Sequence, residues 1–436
     1  MVYIPTNIKF TIAILISLCW AIFSFWIAQG WISELSTHIG AFLSHLIIFG
    51  IAIIPGFMNA FLISSLLLDK RPRNPENPDY PPISILIACF NERDLIYDTL
   101  DSIYHQNYPN WINIIVVDDG SIDNTQYILQ HFQRSDCNIK VINFPENKGK
   151  SHALNEGLKH ITTDLFITLD ADSYLYGDSL KNLVGRYLLK PESVAVAGTV
   201  LVRNSRENLP TKAQEWDYFH GIAAIKRVQS LYRGVMVAQG AYSLFRTQDI
   251  RSIGGWRDTV GEDIVQTWDL LGQGYRIDYA ENAVAFTNAP NTWRKFFRQR
   301  QRWSRGLIEA FKYNWRNLFK ARKTTLFTWW NLLFPYIDLV YTLAFIPGLI
   351  LALFGFYYIA GPLTLLVLPL ALLVNYIMFY RSQAMFKEQG LTVRRNIFGF
   401  VFYSLLYGLV LQPACTIGYF KELFGTKKSW QTKSSK

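Results

Sequence analysis

The chain has 436 residues, 50% of them apolar and 15% aromatic, with a formal net charge of +10. Only 17% are charged, against about 25% in an ordinary soluble protein, which excludes a uniformly soluble chain. Cys19, Cys89, Cys137 and Cys415 lie far apart and form no C-x-x-C pair, which excludes a zinc ribbon or a disulfide framework.

The charge deficit is local. Residues 8–32 hold one charge, Lys9, and residues 41–68 hold none; each stretch exceeds the ~20 residues that cross a hydrocarbon core. The first is longer than a signal-peptide core and lacks a small-residue cleavage site, so it reads as an uncleaved anchor. The loop 33–40 has no Lys or Arg, whereas Lys70, Arg71 and Arg73 follow the second stretch and Lys320, Arg322 and Lys323 precede the next. Basic flanks stay in the cytoplasm, so residues 1–68 are expected to form a transmembrane hairpin and 69–323 a cytoplasmic domain, of a size one α/β domain can reach. Residues 324–436 form a C-terminal membrane region with segments expected near 326–358, 360–380 and 396–420. Both the 381–395 loop (Arg381, Lys387, Arg394, Arg395) and the tail (Lys427, Lys428, Lys433, Lys436) are basic. One simple span cannot leave both inside, so either 396–420, interrupted by Pro413, is re-entrant or the charge rule fails at the tail. The net positive charge fits a partner in an anionic lipid bilayer. No isolated basic stripe lies outside the membrane flanks, so nucleic acid is not an expected partner.

Within the central domain, apolar β-branched runs alternate with helical patterns. "ISILIACF" (83–90), "INIIVVDDGS" (112–121), "IKVINF" (139–144) and "DLFITLDADS" (164–173) read as strands. "LIYDTLDSIYHQ", "DNTQYILQHF" and "KSHALNEGLKHI" between them read as helices. This is the pattern of a mostly parallel, Rossmann-like α/β sheet covered on both faces, whose ligands bind beyond the carboxyl ends of the strands. Those ends carry acids: Glu92 after the first, Asp118 and Asp119 after the second, Asp170 and Asp172 after the fourth. Neither G-x-G-x-x-G nor G-x-x-x-x-G-K-[ST] occurs, which argues against a dinucleotide enzyme or a P-loop NTPase. Carboxylates would repel a phosphate unless a cation lay between them, and Mg²⁺ or Mn²⁺ bridges carboxylates to substrate phosphates. The plainer reading of "DAD" (170–172) is a pair of acids solvating a turn; its place after a buried strand favours the metal. Gly149, Lys150 and Ser151 open a helix whose free N–H groups suit an anion, or else Lys150 is simply in water.

Glu262 and Asp263 begin a further helical pattern, "VGEDIVQTW" (260–268), where acids are also favoured by the helix dipole alone. Residues 293–312 then read as a helix with Gln299, Arg302 and Trp303 on one face. Arg298 and Arg305 lie roughly on that side, and Arg300 points elsewhere. A helix resting on lipid needs a continuous apolar stripe; Gln299 and Arg302 interrupt it.

In order and spacing, "VVDDGS" (116–121), "DAD" (170–172), "GED" (261–263) and "QRQRW" (299–303) resemble the motifs of the membrane-embedded processive family 2 glycosyltransferases. These carry a GT-A domain and make β-linked polysaccharides such as cellulose, hyaluronan, chitin, mannan and poly-N-acetylglucosamine. The resemblance extends over essentially the whole chain, and the chain is most like the poly-β-1,6-N-acetylglucosamine synthases. It implies an inverting polymerase of N-acetylglucosamine from UDP-GlcNAc, in a bacterial inner membrane, with the growing polysaccharide as second substrate. It also allows for a small accessory membrane subunit. By the same resemblance Asn91, Glu92 and one of Asp118 and Asp119, with Asp119 favoured, hold the uridine. Lys150 lies near the nucleotide, and Asp170 and Asp172 hold the UDP and metal. Asp263, with Glu262 beside it, is the catalytic base; Arg302 faces the diphosphate; Gln299, Trp303, Gln239 and Gly240 form the acceptor side. Two positions depart from the family pattern: Gly261, where many relatives have Thr or Ser, and Gln239, where Ser or Cys is common. The rival class is a membrane scaffold or transporter with a ligand-binding domain, which has no need of both Asp170/Asp172 and Asp263.

Overall fold

In the computed structural model, residues 4–70, 78–132, 138–392 and 395–426 are described. Arg71, Arg73, Cys137, Arg394 and the tail lysines lie outside them. The apolar runs form the expected strands β1 (Ile83–Cys89), β2 (Ile112–Asp118), β3 (Asn138–Asn143) and β4 (Leu165–Leu169), followed by β5 (Tyr174–Leu175), β6 (Ser193–Val202), β7 (Tyr242–Arg246) and β8 (Arg276–Thr287). The order is β3-β2-β1-β4-β7-β6-β8-β5. All run parallel except β7, which opposes β4 and β6, and the short β5, which opposes β8. Consecutive aliphatics of β1 and β2 (Ile85, Leu86 and Ile87; Ile114 to Val117) are fully buried, as expected for strands with helices on both faces.

This topology collects the acids. Cys89 of β1 pairs with Asp118 of β2, so the turns after both strands start side by side. The Asp170 N–H bonds to the Ala241 carbonyl at 3.3 Å. Because β7 runs backwards, its beginning (Gln239, Gly240, Ala241), rather than its end, faces the carboxyl edge. The two long helical motifs lie on the same side: Glu262–Gln273 and Trp293–Asn314.

Among the described residues, three helical stretches are long and apolar enough to cross a membrane: Thr6–Ile27, Ala41–Leu68 and Thr324–Leu353. The stretch expected at 360–380 lies in the helix Pro362–Glu388, whose residues 362–380 carry no charged side chain. The stretch expected at 396–420 is two helices, Ile397–Leu405 and Gly408–Leu423, bent by 52°. The bend falls at Leu406 and Tyr407, whose N–H groups both bond to the Phe402 carbonyl, and Pro413 is accommodated inside the second helix.

The basic helix Trp293–Asn314 packs against protein. Phe296 is fully buried beside Trp293 and Tyr407. Arg305 is buried against Glu422 of the last helix at 3.1 Å, a carboxylate that also takes Lys312 at 2.7 Å.

Candidate active site

The turns after β1 and β2 are stitched together. Asn91 adopts φ +53°, a left-handed conformation that Asn tolerates. Its N–H donates to Ser121 Oγ, and its side-chain oxygen accepts from Ile122 N, both at 2.9 Å. The Glu92 N–H donates to Thr125 Oγ1 at 2.9 Å. Asp118 and Asp119 are both buried, yet differ in occupation. Asp119 accepts the N–H of Lys148 on one oxygen and of Gly149 on the other, each at 2.8 Å. Asp118 accepts from Ser121 on one oxygen, and its Oδ2 is buried with no hydrogen-bond partner. Burial pushes both carboxyls above the usual range, against the pull of these donors. An orphaned buried acceptor is costly, and one aimed at a ligand edge is satisfied by a ligand donor. Asp119 thus shapes the loop leading to Lys150, while Asp118 offers the open acceptor.

Lys150 starts the helix Lys150–Lys159 behind Gly149, whose φ of +99° glycine alone takes easily. Its ammonium lies 2.5 Å from Asp170 Oδ1 and 3.4 Å from Glu262 Oε1. Burial would lower this lysine, but Asp170 and Glu262 outweigh it and raise it. Burial pushes Glu262 up to about 7, with Lys150 pulling the other way. Gly240 borders the same cluster: a Cβ there would stand 3.0 Å from Lys150 Nζ and 3.6 Å from Glu262 Oε1. Gln239 is fixed by donating to the Gly198 carbonyl at 2.6 Å, leaving its Oε1 buried without a partner.

Asp172 accepts from Thr287 Oγ1 at 3.3 Å. With Asp170 it supplies hard oxygen donors of the kind Mg²⁺ and Mn²⁺ take, with water and phosphate completing the shell. Among the described residues no group of three or more His, Cys, Asp or Glu side chains gathers as an all-protein cage. The donor set therefore fits an ion shared with a phosphorylated substrate.

Asp263 accepts the Ile264 N–H at 2.7 Å and is half-buried. The departure at Gly261 has a steric cause. A Cβ on Gly261 would meet the Gly306 Cα at 2.5 Å, and Glu309 Oε2 accepts the N–H groups of Val260 and Gly261 at 2.8 and 3.0 Å. The start of the Asp263 helix is thereby locked to the Gln299–Trp303 helix. Arg302 is exposed, and its charge reaches Glu262. Gln299 lies beside Tyr218, its Oε1 buried with no hydrogen-bond partner, and Trp303 is 39% exposed. The expected residues thus group as a set on the turns after β1 and β2 (Asn91, Glu92, Asp118, Asp119), a charge cluster (Lys150, Asp170, Glu262, Asp263, Arg302) and a flank on the next helix (Gln299, Trp303). Sequence reading missed Gly306 and Glu309; the signal available was G-x-x-E on the same helix, one turn beyond Trp303.

Lys226 was also missed. It is buried in the helix Ile225–Leu231, and burial lowers it to about 7, opposed by the charge of Asp263. Its ordinary value is 10.5, so between about 7 and 10.5 the folded chain has given up a proton that the unfolded chain keeps. Stability from this group therefore rises with pH across that window and is lowest below it. Lys226→Met is expected to raise the unfolding temperature more at pH 6 than at pH 9; equal gains at both pH values would show no lysine titration.

Residues 84–254 match the family model Glycosyl transferase family 2. Over 253 residues the chain is 32% identical to the poly-β-1,6-N-acetyl-D-glucosamine synthase of Staphylococcus epidermidis, covering 58% of this chain and 61% of that one. It is 33% identical over 256 residues to the synthase of the same name from Staphylococcus aureus strain MSSA476, with the same coverage. The chain thus spans about 61% of the length of these relatives. Among solved structures, the mannosyltransferase PcManGT from Pyrobaculum calidifontis, in complex with GDP-Man and Mn²⁺, aligns with a TM-score of 0.59 at 19% identity. That alignment covers 91% of this chain and 99% of PcManGT. At that identity the likeness shows a shared fold: a GT-A-like mixed sheet flanked by apolar helices.

Proposed function

We propose that this chain, which carries a family 2 glycosyltransferase domain over residues 84–254, polymerises N-acetylglucosamine from UDP-GlcNAc into a β-linked polysaccharide. The observation that carries the reading is the meeting of Lys150, Asp170 and Glu262 within 3.4 Å, with Asp263 and Arg302 alongside. This supports a base and phosphate-binding groups at one sheet edge, and the names of the synthase relatives support N-acetylglucosamine as the sugar. We place residues 1–68 and 324–436 in a bacterial inner membrane and 69–323 in the cytoplasm, which the three apolar helical stretches support.

In this mechanism Asp118 Oδ2 takes an N–H of the uracil, and the Asn91–Glu92 turn closes over the base. Asp170 and Asp172 would hold Mg²⁺ or Mn²⁺, which when bound neutralises charge on the leaving diphosphate. Asp263 removes the proton from the acceptor hydroxyl as that oxygen attacks the anomeric carbon. The bond to the phosphate oxygen breaks on the opposite face, which inverts an α-linked donor to a β-linked product. Arg302 stabilises the diphosphate as it leaves, and Trp303 stacks the acceptor sugar.

The test is UDP release by the purified full chain, given UDP-GlcNAc, UDP-glucose and UDP-GlcA singly and in pairs, with Mg²⁺, Mn²⁺ or chelator. Metal-dependent release on UDP-GlcNAc alone, with polymer formed, is the expected result. A requirement for UDP-GlcA as well would replace the reading with hyaluronan-like synthesis, and release on UDP-glucose alone with cellulose-like synthesis.

A further inference from the structure

The two side chains assigned to the acceptor are both held from behind by one short segment. Tyr218 lies beside Gln299, and its ring centroid lies 6.3 Å from that of Trp303. Its neighbour Asp217 accepts from Arg300 at 2.6 Å. Both belong to the π-helical stretch Asp217–Ala224, a geometry that recurs at functional sites. Arg300 precedes Trp303 by three residues, a spacing that makes helical neighbours: its guanidinium lies 4.0 Å from the Trp303 ring centroid and 5.0 Å from that of Phe296. One face of the indole is thus covered by a buried cation, while the side chain remains 39% exposed.

A third element closes the arrangement. Tyr407 sits in the bend between Ile397–Leu405 and Gly408–Leu423. Its hydroxyl donates to Asp217 Oδ2 at 3.0 Å and lies 3.4 Å from Arg300 Nη2. All three side chains are buried. A buried ion pair is no better for stability than well-packed apolar side chains, so fold stability alone does not account for it. It does fix direction. Arg300 bonds through Nη2 while its Nε is buried with no partner, so the fork forgoes a hydrogen bond in the orientation that lays it on the indole. A cation over an indole face holds the ring in plane and distance.

We propose that Asp217, Arg300 and Tyr407 are positioning residues that set the Trp303 platform, making acceptor use depend on the bent C-terminal helix pair. The inference rests on the reading of Trp303 as the acceptor platform. It assigns these residues no contact with substrate and no part in donor binding.

The experiment uses the full chain in detergent or nanodiscs and the mild variants Tyr407→Phe and Arg300→Lys, with Arg300→Met, Asp217→Asn and Trp303→Ala alongside. UDP-GlcNAc is the donor, and β-linked N-acetylglucosamine oligosaccharides are added as acceptors. Readouts are product length, acceptor and donor KM, UDP affinity and unfolding temperature. Tyr407→Phe and Arg300→Met are expected to shorten the product and raise acceptor KM by ~2- to 30-fold, the range a cation–π contact can carry. Donor KM and UDP affinity should stay unchanged, and Arg300→Lys should recover part of the loss. Acceptor and donor parameters falling together with unfolding temperature would make the triad merely structural and overturn the proposal. Unchanged product length would overturn it too. If Trp303→Ala itself leaves acceptor KM and product length unaltered, the underlying acceptor reading fails, and this is recognisable whatever the triad variants do.

Discussion

Asp263→Asn is expected to lower UDP-GlcNAc turnover by at least ~10²- to 10⁴-fold, the contribution of a positioned general base, while UDP binding stays close to that of the parent. A sugar hydroxyl is a poor nucleophile until a neighbouring group accepts its proton. Asn keeps the shape of Asp263 but cannot take that proton. The Asp263 carboxylate is anchored on one oxygen by the Ile264 N–H, which an amide oxygen can also accept, so the helix start and its Gly261–Gly306 contact should survive. UDP affinity by calorimetry and turnover by UDP release separate the possible roles. Loss of UDP binding together with turnover would make Asp263 a metal or phosphate ligand instead. The matching Glu262→Gln substitution should behave differently. It leaves Lys150 paired to Asp170 but removes a buried carboxylate near that ammonium, so donor KM is expected to rise along with the fall in turnover.

The parts of the fold that sequence pattern could reach are those built from uninterrupted local signals. β1 to β4 and the helices between them follow from apolar runs bounded by Asn, Gly and acids, because a strand buried on both faces has no room for alternation. The reversed β7 was not legible that way: a short strand looks the same in either direction, and only its partners β4 and β6 set its sense. That reversal brings Gln239 and Gly240 to the site, where only family resemblance had placed them. Gly261 looked like a departure and is a close backbone approach to Gly306, which pattern reading cannot see because the partner lies on another helix. Arg300 illustrates the same limit. It was set apart from the Gln299–Arg302 side although three-residue spacing makes it a helical neighbour of Trp303, and spacing says nothing of Asp217, 83 residues earlier, or Tyr407, 107 residues later. Pro413 drew attention as the expected interruption, yet the chain turns at Leu406 and Tyr407, where Tyr407 is bound into that buried pair. Which of Asp118 and Asp119 keeps an unpaired oxygen likewise could not be read from adjacent identical residues: the loop at Lys148 and Gly149 takes both oxygens of Asp119 and leaves Asp118 Oδ2 without a hydrogen-bond partner.

Arg302→Ala is expected to cost ~10²- to 10³-fold in kcat, the typical loss when one preorganised donor to developing charge is removed, with a smaller change in donor KM. The argument rests on where charge appears during the reaction. The diphosphate gains negative charge as the anomeric bond breaks, so a guanidinium there contributes more to the transition state than to the bound donor. Arg302 is exposed on the site side of its helix, with Glu262 within reach of its charge. Its planar fork matches phosphate oxygens in a way an ammonium does not, so Arg302→Lys should recover only part of the loss. A second readout follows from Glu262. Burial raises that carboxyl to about 7, and both Lys150 and Arg302 hold it down. Removing Arg302 lets it rise further, leaving a smaller ionised fraction at a given pH. The acid limb of the pH–rate profile should therefore move to higher pH in Arg302→Ala. A kcat within twofold of the parent, with the acid limb unmoved, would take Arg302 out of the reaction and leave Lys150 as the cation facing the leaving group.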